Sequence, residues 1–179
     1  MNLVKNTTHQ LPPRTAMEVF EILPEGTLAE VVNNTIYMSP APSYQHQRVV
    51  TKLILVLSSF VDDNDLGECV IAPVDVYFDS NNVLQPDILF ISKANLGIVQ
   101  DGKVKGSPDL VIEVLSSDKK YDLETKKEIY EQFGVKEYFV VDPFTKEVFA
   151  FYFDGKKYVL QTSKIGNLKS KLLKKTFAF

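Results

Sequence analysis

The chain has 179 residues, 45% hydrophobic and 24% charged, which suits one soluble domain around a single substantial core. Its formal net charge of −3 excludes a whole-protein field that gathers nucleic acid, so an anionic partner needs a local basic patch. One cysteine and two histidines exclude an internal disulfide and a Cys/His zinc site. No apolar run reaches the ~20 residues that span a bilayer, and residues 1–10 lack the apolar core of a signal peptide. A reducing, cytoplasmic setting with no membrane partner is the expectation.

Residues 1–15 are polar and contain Pro12 and Pro13, which predicts a loose arm ahead of one domain over 16–179. A short helix is expected over 15–23, stopped by Pro24-Glu25-Gly26. Residues 28–32 and 35–38 read as a hairpin, because Asn33 and Asn34 tolerate the positive φ of a tight turn. After the extended Ser39-Pro40-Ala41-Pro42, a long helix is predicted over 43–61, with His46, Val49, Val50, Leu53, Leu57 and Phe60 on one stripe. Residues 69–78 and 83–91 look like two strands around the turn 79–82. Residues 109–115 are apolar on both faces, as a central buried strand is. A helix follows over 121–133, ended by Gly134, and then a strand over 137–141. Residues 148–153 and 158–162 pair around Asp154-Gly155-Lys156-Lys157. Lys164, Lys169, Lys171, Lys174 and Lys175 crowd the end of the chain. A solvated surface helix or tail is the expected reading of such a run, and a basic patch the alternative. The order predicts a mixed α/β layer built round one sheet.

Three charged residues stand in apolar surroundings. Asp87 lies in Gln85-Pro86-Asp87-Ile88-Leu89, and Glu113 lies in Leu110-Val111-Ile112-Glu113-Val114-Leu115. Glu113 shares a strand face with Val111 and Leu115. At 100° per residue, Lys126 falls in the arc of Leu123, Ile129, Tyr130 and Phe133, with Asp122 inside it and Lys127 at its edge. Buried charges are costly unless they pair or bind a metal. Lys126 either snorkels to solvent or meets Asp122 or Glu113. Glu113 is either salt-bridged for specificity or a ligand. Pro86-Asp87 is either a turn cap or a site at an irregular strand edge. Together, two carboxylates on neighbouring strands can hold a hard divalent cation through oxygen, with a lysine to stabilise a phosphate oxygen. His46 reads as a hydrogen-bonded core residue and Tyr130 as a packed aromatic with a satisfied hydroxyl. Asp75 is either a buried structural acid or a support for the site.

Pro86-Asp87, Glu113 in its apolar strand and the lysine beyond it resemble the PD-(D/E)XK nuclease superfamily. More narrowly, Met38 to Ser43 with His46, Gln85-Pro86-Asp87-Ile88, and the run from Pro108 to Ser116 resemble the Uma-two family of restriction-endonuclease-like proteins. The likeness continues through Asp122-Leu123, Lys126, Tyr130, Gly134 to Tyr138 and Val141-Asp142-Pro143, covering roughly 16–153. It implies a restriction-endonuclease-like α/β fold, a mixed β-sheet flanked by helices. It also implies a metal site for Mg²⁺ or Mn²⁺ with Asp87 and Glu113 as ligands and the Val114 carbonyl as a third. Lys126 would replace the lysine usually found two residues after the acid, where Leu115 stands. Glu30 matches an acidic position ahead of the family's hairpin turn and would aid the metal through a water; the alternative is an exposed hairpin residue. The function implied is a metal-dependent endonuclease that hydrolyses DNA phosphodiesters as a homodimer. The competing reading is a non-catalytic nucleic-acid-binding or regulatory module, in which Glu113, Lys126 and Asp122 survive as a buried ion network.

Overall fold

Thr15 begins the first helix with a capping box: its side chain accepts the Glu18 N–H at 3.1 Å, and Glu18 accepts the Thr15 N–H at 3.1 Å. That starts α1 (Ala16–Phe20). The computed structural model describes residues 13–162 and 165–179. The expected arm therefore lies almost wholly outside the described residues, as does Lys164. β1 (Ala29–Val32) and β2 (Thr35–Met38) form the expected hairpin. Asn33 and Asn34, at φ 48° and 59°, supply the two positive-φ positions of a primed turn. Ser43 caps α2 (Tyr44–Asp63) by accepting the His46 N–H at 3.2 Å. Its buried stripe ends on Val61, with Phe60 only half-buried.

The two strands expected around the 79–82 turn are four. β3 (Gly67–Ile71) and β4 (Val76–Asp79) split the first, and β5 (Asn82–Leu84) and β6 (Ile88–Ser92) split the second. Both breaks fall at prolines, Pro73 and Pro86, which bring no N–H to a ladder. The two arms stay together there through the Ala72 N–H and the Asp87 carbonyl, 3.0 Å apart. Residues left unassigned in the sequence form a 3₁₀ segment (Lys93–Ile98) and the strands β7 (Val99–Gln100) and β8 (Lys103–Lys105). β9 (Leu110–Val114) is buried throughout, as its apolar run predicts. The following helix begins as a π-helical segment (Tyr121–Lys126) and continues as α3 (Lys127–Gln132). β10 (Glu137–Val141), β11 (Val148–Phe153) and β12 (Tyr158–Thr162) lie where expected. The lysine-rich end is neither helix nor tail. It is a hairpin of β13 (Asn167–Ser170) and β14 (Lys175–Ala178), because Leu168, Leu173 and Phe177 turn into the core.

The class is mixed α/β, but the strands divide between two six-stranded sheets, ordered β2-β1-β5-β4-β8-β7 and β12-β11-β10-β9-β6-β3. The break at Pro73 and Pro86 passes the chain from one sheet to the other. In the second sheet β9 lies between β6, antiparallel, and β10, parallel. The parallel pair requires a crossover, which the π segment and α3 provide. One face of this sheet packs on α2 and the β13–β14 hairpin. The other packs on α3 and the first sheet. Glu113 projects from the second face, toward α3 and the first sheet. Among the described residues no helix is long and apolar enough to cross a membrane.

At the opposite end of β9, Asp109 ties three elements together. Its buried carboxylate accepts the Ser92 N–H at 2.8 Å, the Asn95 amide at 3.1 Å and the Lys136 ammonium. Burial alone would raise its pKa, but Lys136 and the Ser92 N–H outweigh that and hold it below the ordinary carboxylate value. A lowered folded-state pKa stabilises above the unfolded value, near ~3.9, and that stability is lost as the pH falls through the folded value. Lys136→Ala is therefore expected to cost about 1 kcal/mol at pH 7 after solvent screening. In urea-unfolding curves the gap between variant and wild type should narrow once the pH falls below ~3.9 and close as it passes the lower folded value. A gap that stays constant over that range would contradict the assignment.

Candidate active site

The Pro86 break turns Asp87 out of the ladder one position beyond the last β6–β9 pair, Ile88 with Ile112. Its carboxylate reaches across instead, with Oδ2 accepting the Val114 N–H at 2.7 Å. The Asp87 N–H in turn points at Glu113 Oε2, 3.4 Å away. The two acids singled out in the sequence therefore lie side by side at the end of the central strands.

Lys126 joins them from the π segment. Its Nζ stands 2.9 Å from Glu113 Oε1 and 3.0 Å from Glu30 Oε1, and the three residues are 6%, 2% and 4% exposed. Of the two partners expected for Lys126, Glu113 is one and Asp122 is not. Asp122 Oδ2 instead accepts the Ser116 N–H and hydroxyl at 3.1 and 3.2 Å, closing the turn after β9. Glu30 takes the vacant place. It is not an exposed hairpin residue, because β1 is an inner strand of the first sheet, between β2 and β5, and is buried throughout. Glu30 Oε1 also accepts the Gln85 N–H at 2.8 Å, and Gln85 is held by Asp75 at 2.8 Å. Asp75 thus supports the site through Gln85.

Two tyrosines complete the cluster. The Tyr130 hydroxyl donates to Glu113 Oε1 at 2.7 Å, so the packed aromatic expected there turns its polar end to the site. The Tyr121 hydroxyl donates to Glu30 Oε2 at 2.9 Å, and its ring lies 5.5 Å from the Lys126 ammonium. Sequence reasoning missed Tyr121. At α spacing, a residue five before Lys126 points well away from it; the i to i+5 bonding of a π turn brings the two together. His46, read as a core residue, sits 3.1 Å from Asp87 Oδ2 through Nε2. Its buried Nδ1 has no partner among the described residues. Burial depresses the imidazole pKa, but the Asp87 carboxylate and the Val114 backbone outweigh this and raise it above the ordinary value.

Glu30 and Glu113 hold one lysine between them, with Asp87 and Asp122 nearby. Burial lifts the Glu113 pKa well above the carboxylate range; Lys126 opposes this, while Asp87, Glu30 and Asp122 add to it. Burial works against the charge on Lys126, but Glu113 and Glu30 hold it as an ammonium. The cluster has more negative groups than positive ones, and a cation would relieve it.

Among the described residues, no three His, Cys, Asp or Glu side chains are gathered as a metal cage. A smaller oxygen set matches a hard cation. Asp87 Oδ1 accepts no hydrogen bond among the described residues, and Glu113 Oε2 has only the long contact with the Asp87 N–H. The residues therefore fit a divalent ion of the Mg²⁺ type in donor chemistry.

No curated protein matches the chain. A solved structure described as a putative nuclease belonging to DUF820 from Anabaena variabilis superposes with a TM-score of 0.73 at 17% identity. The match covers 90% of this chain and 91% of that one, and at that identity it shows the fold alone. The model of the Uma2 family, described as "Putative restriction endonuclease", matches residues 17–174. The chain belongs to the Uma2 family.

Proposed function

We propose that the chain is a divalent-metal-dependent endonuclease that hydrolyses DNA phosphodiesters, with Asp87, Glu113 and the Val114 carbonyl as metal ligands. The observation that carries this reading is the meeting of Asp87 and Glu113 beside the Lys126 ammonium, 2.9 Å from Glu113. Bound Mg²⁺ or Mn²⁺ would supply a Lewis acid and an acidified water at the scissile phosphate. Lys126, charged at Nζ, donates to a phosphate oxygen and offsets charge that develops there. Glu30 and Tyr121 position Lys126, and Tyr130 fixes the Glu113 carboxylate by its hydroxyl bond. His46 orients Asp87. Cutting both strands takes two such sites, so the reading includes a homodimer, and it places the protein in the cytoplasm.

A second reading has its own support: Lys126 is already held by two buried carboxylates, as in a structural ion network that keeps the fold without catalysis. Nicking of supercoiled plasmid separates the two. The nuclease reading expects relaxation in Mg²⁺ or Mn²⁺, none in EDTA, and none with Glu113→Ala. Relaxation that persists in EDTA or in that variant overturns it. A wild type inert in either metal, with a metal-independent stability change in Glu113→Gln, supports the network.

A further inference from the structure

The β13–β14 hairpin gathers charge that the carboxylate site does not use. Lys169, Lys171, Lys174 and Lys175, with Ser170 and Thr176, line an open recess of about 330 Å³, and all four lysines are exposed. Among the described residues none of the four has a carboxylate within 4.0 Å. Lys93, Lys103, Lys105, Lys119, Lys120, Lys126 and Lys136 all do; Lys52, Lys127, Lys146, Lys156 and Lys157 do not, but only the hairpin gathers four such lysines round one recess. Two of the four rest on aromatic rings instead, Lys171 Nζ 3.8 Å from the Tyr152 centroid and Lys175 Nζ 5.4 Å from that of Phe60. On a chain of net charge −3, this is a local reversal of sign.

The hairpin is held rigidly. Glu137, buried at the start of β10, accepts the Lys171 and Leu172 N–H groups at 2.7 and 2.8 Å with Oε1, and the Ser170 hydroxyl at 2.6 Å with Oε2. Leu168, Leu173 and Phe177 pack into the core beneath. The four ammonium groups therefore project from a fixed frame. That frame abuts the far end of α2, where the Phe177 and Phe60 rings are 5.5 Å apart. Phe60 lies fourteen residues beyond His46, which is about 21 Å along a helix at ~1.5 Å per residue.

We propose that this hairpin is a second phosphate-binding site, which grips the backbone of a DNA duplex away from the carboxylate cluster. The proposal rests on the nuclease reading and names the part of its substrate held away from the chemistry. Four lysines spread along an open recess, with no buried donor aimed at one point, suit a row of phosphates better than one small anion. Lysines supply point charge without the fork that reads base edges, so the grip is independent of sequence.

The test is fluorescence anisotropy of a labelled duplex three helical turns long, in EDTA, over a salt series. The variant replaces Lys169, Lys171, Lys174 and Lys175 by Gln. A charge-matched control replaces Lys93, Lys105, Lys156 and Lys157 by Gln. The hairpin variant is expected to bind about tenfold or more weakly. Its plot of log affinity against log salt should flatten by about 0.9 for each phosphate that the lysines no longer neutralise. The control should stay within about twofold of wild type, and Arg at the four hairpin positions should restore binding. Equal Tm values for the hairpin variant and wild type exclude unfolding as the cause; if the Gln variant melts early, the Arg set must bind like wild type. Hairpin and control variants that weaken equally, or a hairpin variant that binds like wild type, overturn the proposal and leave the nuclease reading standing. A wild type that binds no duplex overturns it too, and lysine-dependent binding to phosphatidylserine vesicles would then assign the hairpin to a membrane surface. Metal-dependent plasmid nicking, read separately, tells whether the nuclease reading falls with it.

Discussion

Lys126→Ala is expected to cost about 3–5 kcal/mol of folding stability, the range found when one member of a buried ion pair is removed. The substitution strands Glu30 and Glu113, 4% and 2% exposed, with no cation between them. Glu113, whose carboxyl burial already lifts well above the ordinary range, would take up a proton to remain folded, so the sign with pH follows. Without Lys126 to oppose it, the folded-state pKa of Glu113 rises further, which gives stability that is kept at low pH and lost as the pH rises through it. Urea unfolding should therefore find a larger deficit at pH 8 than at pH 5. Neutralising the whole cluster with Glu30→Gln, Glu113→Gln and Lys126→Met together is expected to recover much of the loss, since a buried ion set contributes little net stability when replaced entire. A single-variant deficit below about 1 kcal/mol, or one independent of pH, would mean that the Lys126 ammonium is solvated rather than held between the two acids.

Asp87→Ala is expected to separate activity from stability. Cleavage should fall by about a thousandfold or more, because several kcal/mol of charge stabilisation at the phosphate would go with the ligand. The fold should survive. Asp87 lies at the partly open edge of the cluster, and its loss frees only the Val114 N–H and the His46 imidazole, about 1–3 kcal/mol of unmet hydrogen bonding. Circular dichroism and a melting curve taken beside the nicking assay give both readouts. Cleavage at the wild-type rate in a folded Asp87→Ala protein would remove Asp87 from the reaction.

The acids of the site were legible in the sequence because their surroundings were one-sided. Glu113 interrupts an unbroken apolar run, and Asp87 follows a proline that takes it out of the ladder. Lys126 was legible by helical arc. Glu30 as its partner was not, since that pairing brings together residues from different sheets, and no local pattern encodes the meeting. Tyr121 was hidden by a change of helical pitch that periodicity at 100° cannot register. The long α2 followed from its apolar stripe at helical spacing, and the Asn33-Asn34 hairpin from turn chemistry, which acts within a few residues. The two divided strands did not follow, because Val70, Val74, Val83 and Ile88 carry strand propensity straight through each break. At the end of the chain, lysine-rich composition masked the inward Leu168 and Phe177 that make a hairpin of it.

The most direct test of the central claim is a calorimetric titration of Mg²⁺ or Mn²⁺ into the wild type and Asp87→Ala. The account predicts saturable binding to the wild type that disappears in the variant, with the heat marking a cation held between Asp87 and Glu113. Equal binding to both proteins would contradict it, since the metal would then sit somewhere other than the paired carboxylates.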